Sequence, residues 1–237
     1  MEKMFLWTEE SIRFYEQAAI FSRFHECIAK EISEFITDED HVVDLGCGLG
    51  FLSLQLSKLC RNVTAVDCDQ NVLEALKVNM LENDIRNIQI QHSDWHKIRK
   101  IPKWDIVVAS FFGRSQEDMD SFLRLCRKKV IFIFPNGESE GFLPKKSEYT
   151  KRETVKETEV SLRAKYKISY YKELELEFGQ PFHTMEEAFR FVRNYRKDAG
   201  KSVIRKHLEQ YLIPVENQKF SYYLPNKKQI AICVLEK

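Results

Sequence analysis

Five short apolar runs, spaced so that a helix fits between most neighbours, constrain the fold more than any other feature of this sequence. They are "HVVDL" from His41, "NVTAVD" to Asp67, "NIQIQHSD" to Asp94, "WDIVVAS" to Ser110 and "KVIFIFP" to Pro135. Strands that are apolar on both faces belong in a parallel sheet covered by helices on each side. The intervening segments carry helical periodicity. Phe51 to Leu59 puts Leu52, Leu56 and Leu59 on one stripe, and Asn71 to Leu81 presents Val72, Leu76 and Met80. "SQEDMDSFLRLCRK" opens with Ser115 and Asp118 at capping spacing and turns Met119, Phe122, Leu123 and Cys126 inward.

The flanks read differently. Thr8 to Ile36 predicts one helix, with Ile12, Tyr15, Ala18, Ala19, Phe21, Phe24, Ile28, Ile32 and Phe35 recurring at helical spacing. After "PNGESEG" a charged stretch, Ser147 to Tyr166, predicts a weak helix. "YYKELELEFG" alternates Leu174, Leu176 and Phe178 as a half-exposed strand does. Two helices follow. The first is capped by Thr184 with Glu187 and buries Met185, Phe189, Val192 and Tyr195; the second runs from about Lys201 to Leu212 and stops before Pro214. "FSYYL-PNKK-QIAICVLEK" predicts a hairpin whose final strand returns antiparallel to the sheet. No repeat and no parting linker interrupts the chain. It reads as one domain, 1–237: a helical cap over 1–40, a ligand-binding core over 41–135, and the remaining strands over 136–237 with a helical lid at about 183–213.

Composition sets bounds. The chain has 237 residues, with 37 Lys and Arg against 36 Asp and Glu. An overall basic footprint for nucleic acid is therefore missing. The six cysteines are scattered, without the close spacing of a zinc site or redox pair, which suits a reduced, cytoplasmic protein. The segment "MEKMFLWTEE" turns acidic too soon for a signal peptide, and no apolar run is long enough to span a bilayer. No grouping has metal-ligand spacing, so no metal is expected.

The loop "DLGCGLG" follows the first strand. In an open parallel sheet, ligands sit beyond the carboxyl ends of the strands, where strand order reverses. Glycines at 46, 48 and 50 let backbone turn tightly and approach a ligand. Their spacing is not the G-x-G-x-x-G of dinucleotide sites, and no Lys-Ser or Lys-Thr follows as in triphosphate loops. Asp67 ends the second strand, where a carboxylate can take ribose hydroxyls; Asp69 is the alternative. Asp44 would repel a pyrophosphate but suits the ammonium of an amino acid moiety. Asp94 follows the third strand, in reach of an adenine amine. Trp95 suits either that ligand end or core packing. Cys47 is read as a small residue in a tight loop.

"VVDLGCGLG", "VTAVDCD" and "IQHSDW", in this order and spacing, resemble the cofactor site of the class I S-adenosylmethionine-dependent methyltransferases. The likeness covers about Val42 to Pro135, with the last strands of the family resembled by "FSYYL…QIAICVLE". It implies an α/β, Rossmann-like, seven-stranded, mostly parallel sheet with the last strand antiparallel and helices on both faces. It implies S-adenosyl-L-methionine as cofactor and S-adenosyl-L-homocysteine as product. Asp44 and the Gly46, Cys47, Gly48 and Gly50 loop would hold the methionine part, Asp67 the ribose, and Asp94 and Trp95 the adenine, with Cys68 also counted among the cofactor-binding residues and Ser110 beside the cofactor.

The acceptor is less constrained. Methyl transfer from a sulfonium is an in-line displacement in which alignment and water exclusion do much of the work. The loop after the fourth strand reads "ASFFGR" and lacks the Asn-Pro-Pro-Tyr or Asp-Pro-Pro-Tyr of many amino-nitrogen methylases. Ser110, Phe111 and Phe112 would line an apolar floor, or the two Phe rings simply pack in the core. The N-terminal helix, with Trp7, Phe14 and Tyr15, the loop "FPNGESEG" and the helical pair from Thr184 to Leu212 would roof the pocket. His183, entering that lid, is the base candidate. The compact aromatic lid and balanced charge favour a small-molecule acceptor, with homodimerisation left open. An RNA or protein substrate is the first rival, supported by "RLCRKK" and "RNYRKDAGKSVIRKH". A non-catalytic nucleoside-binding protein is the second, and an NAD-dependent reductase the third.

Overall fold

A computed structural model describes residues 7–99, 103–113, 118–136, 142–144, 155–216 and 219–237, of which 155–157 by their backbone alone. The five apolar runs form strands: β1 (His41–Leu45), β2 (Asn62–Asp67), β3 (Ile88–His92), β4 (Trp104–Ser110) and β5 (Cys126–Pro135). They join β6 (Ile168–Glu177) and β10 (Lys227–Glu236) in a seven-stranded sheet of order β3-β2-β1-β4-β5-β10-β6. β1 to β5 pair in parallel, and β10 runs antiparallel to both β5 and β6. The order reverses between β1 and β4, which opens the crevice at their carboxyl ends.

Two apolar layers cover the sheet. One unites Val42, Val63, Ile106, Ile131 and Ile232 with Ile28, Ile32, Leu52, Leu56 and Leu76. The other unites Val43, Val107, Val130 and Cys233 with Trp95, Trp104, Met119 and Phe122. Alternate residues of each strand serve opposite layers, the period-two rule that makes the central strands apolar on both faces. The helices are α3 (Phe51–Leu56), α4 (Gln70–Glu82) and α5 (Met119–Leu125) within the core, and α6 (Val155–Lys165) ahead of β6.

Four expectations need correction. The N-terminal segment is two helices, α1 (Glu9–Ser22) and α2 (Phe24–Ile32), closed by a 3-10 turn at Ser33–Phe35. The break is Arg23, left-handed at φ 54° and at once C-cap of α1 and N-cap of α2. Periodicity alone carries straight through a one-residue break. The helix of "SQEDMDSFLRLCRK" ends at Leu125, because Cys126 is extended and already pairs with Trp104; its Ser115 cap lies outside the described residues. The predicted terminal hairpin is not formed. β9 (Tyr222–Leu224) joins β7 (Gln180–Phe182) and β8 (Ile213–Pro214) in a separate three-stranded sheet, while β10 enters the main sheet beside β6. Finally, α7 (Met185–Tyr195) buries Glu187, Ala188, Phe191 and Val192, whereas Met185 and Tyr195 are exposed. Its partner α8 (Lys201–Tyr211) buries Ile204, His207 and Leu208.

Candidate functional site

β1 delivers Asp44 to the floor of the crevice and the chain then turns through the glycine loop. Gly46, Gly48 and Gly50 all have positive φ, at 68°, 52° and 74°. Two of these glycines do different work. A Cβ on Gly46 would lie 2.1 Å from the Phe112 ring, so the loop packs there against the segment after β4. A Cβ on Gly48 would meet nothing nearer than Trp7, at 3.9 Å, so this backbone faces open space. Bare, left-handed backbone facing a crevice is what a close-lying ligand needs.

Asp44 is 2% exposed and accepts a 2.6 Å hydrogen bond from the Ser53 hydroxyl on α3. Burial pushes its carboxyl up to about 7; the Ser53 bond opposes this and the Asp67 charge adds to it. Asp67 accepts from the Gly48 N–H at 2.9 Å and from the Asp69 N–H at 3.0 Å. Asp69 has another task, capping α4 through the Asn71 N–H. Asp94 accepts from the His96 N–H and faces His96 Nδ1, each at 3.0 Å, and these contacts hold its carboxyl below the usual range. The loop thus carries carboxylates from the ends of β1 and β2, with a third just beyond β3.

Other candidates fall in two groups. Near the crevice, Ser110 is half-buried where β4 ends, opposite Ile133. Phe111 follows at φ 53°, an outlier for a bulky residue, with its N–H donated to the Ile133 carbonyl at 2.8 Å. Phe112 fills the space over Gly46. Burial and the charges of Asp44 and Asp67 push the Cys47 thiol well up, which keeps it protonated and unreactive. The Cys68 thiol is also raised, and its carbonyl meets His92 Nε2 at 3.0 Å. Trp95 packs inward, 7% exposed, with its ring 5.0 Å from Phe122. His183 is not brought to the crevice. It is exposed, lies against Phe220 at 4.9 Å, and donates its backbone N–H to Glu187.

Beside the loop lies a cavity of about 280 Å³ lined by Trp7, Tyr15, Phe178, Gln180, Tyr195 and Lys228, with Ala18, Phe142 and Phe191 completing the wall. Trp7 and Tyr15 meet edge to face at 5.5 Å, and Tyr15 and Phe178 at 5.3 Å. Behind Tyr15 its hydroxyl meets His25 Nε2 at 3.0 Å. Burial drives the His25 imidazole down to about 3, with the Lys228 charge adding to the effect, so this histidine is neutral at physiological pH. His25, Gln180 and Lys228 escape the sequence reading. The histidine sits on a helical apolar stripe, and the lysine follows a turn signal. No local pattern reports that residues 25, 178 and 228 meet.

Residues 42–130 match a family model described as a methyltransferase domain. The match spans the core from β1 into β5, so this part of the chain is similar to a methyltransferase domain. The Ribosomal protein L11 methyltransferase of Acetivibrio thermocellus is 34% identical over 107 residues, which are 45% of this chain and 34% of that protein. An rRNA adenine N-6-methyltransferase of Bacteroides fragilis is 36% identical over 75 residues, 32% of this chain and 27% of its own. The chain therefore spans only about a third of the curated relatives' own length. Among solved structures, the YcgJ protein of Bacillus subtilis superposes with a TM-score of 0.54 at 12% identity, covering 89% of this chain and 97% of that one. Coclaurine N-methyltransferase, bound to N-methylheliamine and SAH, gives 0.51 at 12% identity, covering 90% and 70%. Both likenesses are of fold. Among the described residues no acid, histidine or cysteine group could hold a metal, and no helix is long and apolar enough to cross a membrane.

Proposed function

We propose that this chain is a methyltransferase that binds S-adenosylmethionine in the glycine loop and transfers its methyl group to a small molecule held in the aromatic cavity. The observation that carries the reading is Gly48: open left-handed backbone between a buried carboxylate, Asp44, and a second one, Asp67. Asp44 would take the ammonium of the methionine part and Asp67 the ribose hydroxyls, with Asp94 at the adenine end. Such a set fits a ligand that is cationic at one end and a nucleoside at the other, and it does not fit a pyrophosphate. Bound there, the cofactor supplies a methyl group on an electrophilic sulfonium.

The chain's own residues orient and exclude water. Phe111 and Phe112 floor the space after β4, and Trp7, Tyr15 and Phe178 wall the neighbouring cavity. Alignment in a dry site suffices for an acceptor nucleophile that is already neutral or anionic. Neither His183 nor His25 suits the role of base. The first lies outside the cavity lining, and the second is held neutral behind Tyr15 with its basicity suppressed by burial.

A small acceptor is supported by the cavity's size, at the lower end of small-ligand sites, and by its aromatic lining. A second reading, methylation of RNA or a ribosomal protein, is favoured by the names of the relatives, whose likeness covers less than half of this chain. Incubating the protein with methyl-labelled S-adenosylmethionine and a cell extract separates the two. Label in the low-mass fraction supports the small acceptor; label in RNA or protein overturns it.

A further inference from the structure

Lys228 is the second residue of β10, across from Leu176 of β6, at the end of the sheet where the crevice opens. Its side chain lines the aromatic cavity. The Nζ lies 4.2 Å from the centre of the Phe178 ring, 5.2 Å from Phe111 and 5.4 Å from Phe24. No described carboxylate pairs with it. On its own and the neighbouring strand, Lys227 pairs with Glu175 at 2.8 Å, and Glu177 accepts from the Tyr223 hydroxyl at 2.5 Å and the Asn226 N–H at 2.9 Å. From α2 the facing titratable group is His25, which is neutral; Tyr15, from α1, is kept protonated by burial. Burial lowers the lysine to about 8, so it is still mainly charged at neutral pH.

A desolvated ammonium without a counter-ion is costly, and three ring faces offset only part of that cost. Among the described residues no anion supplies that partner, and the cavity is where one can sit. A single flexible ammonium, with no arginine fork beside it, suits a singly charged group better than a phosphate. The ring-lined walls suit a flat apolar body.

We propose, building on the small-molecule reading above, that Lys228 anchors the methyl acceptor and that the acceptor is a planar, largely apolar carboxylate. Its carboxylate pairs with the Lys228 ammonium and its ring lies among Trp7, Tyr15 and Phe178. Lys228 sets specificity on this account and moves no proton.

The test uses matched acid and amide probes on the full chain with S-adenosylhomocysteine present. Indole-3-acetate is compared with indole-3-acetamide, and 4-hydroxybenzoate with 4-hydroxybenzamide, by ligand-observed NMR and calorimetry. At least one acid is expected to bind tenfold or more tightly than its amide at pH 7. Lys228→Met is expected to abolish the preference and Lys228→Arg to keep most of it, with S-adenosylhomocysteine affinity unchanged in both, which also reports that the variants fold. Equal binding of acid and amide, a preference surviving in Lys228→Met, or no binding of either acid while S-adenosylhomocysteine binds would each overturn the anchor alone. Failure of S-adenosylhomocysteine to bind the wild type would overturn the cofactor reading beneath it, and the anchor with it.

Discussion

Asp44 is placed where its charge costs the empty protein stability. The folded state raises its carboxyl to about 7 from an ordinary 3.8, so the folded chain holds a proton that the unfolded chain has lost over that window. This contribution is fully present below about 4 and is gone above about 7. Asp44→Asn keeps an acceptor for Ser53 and removes the charge. We expect it to stabilise the ligand-free protein at pH 8 by roughly 1–3 kcal/mol, the thermal-melting difference from wild type shrinking as pH falls to 5. The same variant should lose at least thirtyfold in S-adenosylhomocysteine affinity, and wild-type affinity should weaken as pH drops below 7. A variant that melts lower at pH 8 and still binds would refute this role. The glycines allow a second comparison. Gly48→Ala, with 3.9 Å of room, should fold at a cost of about 1 kcal/mol for its left-handed backbone, yet bind ligand poorly. Gly46→Ala meets the Phe112 ring at 2.1 Å and should cost several times more, read by denaturant unfolding.

Among the elements, α7 shows best what a sequence pattern can and cannot reveal. Its start is legible, because Thr184 caps the helix by accepting from the Glu187 N–H at 3.1 Å. Its inward face is not. Glu187 is 4% exposed yet faces inward, because it accepts from the His183 N–H at 2.8 Å and from Arg13 on α1 at 2.6 Å. A buried carboxylate satisfied by a distant arginine leaves no local mark. The same limit applies to Tyr222–Leu224, whose β character is legible while its partner strand, Gln180–Phe182, is set by tertiary contact. Thr184→Ala should destabilise the helix by about 1 kcal/mol, and Arg13→Met should expose Glu187 as an unpaired buried acid. Hydrogen exchange across Met185–Tyr195 should accelerate in both, and unchanged protection in Arg13→Met would deny the α1–α7 tie.

At the scale of the whole molecule, β1 to β5 and the glycine loop were legible because each is a local pattern: a continuous apolar run, or closely spaced glycines between acids. The cavity was legible only in part. Trp7 and Tyr15 announce themselves as aromatics near the start of the chain, but Phe178, Gln180 and Lys228 join them only because β6, β7 and β10 bring the far end of the chain back to the crevice. A ligand that binds only the folded state adds its binding energy to stability. At a hundredfold excess over its Kd, S-adenosylhomocysteine should contribute about 2.7 kcal/mol and raise the melting temperature by roughly 5–10 °C. The most direct measurement is a calorimetric titration of the wild type and Asp67→Ala with S-adenosylhomocysteine, with NAD as the control ligand. The account predicts one site on the wild type, a loss of tenfold or more in the variant, and no heat from NAD. Binding that is absent from the wild type, or equal in the variant, would contradict it.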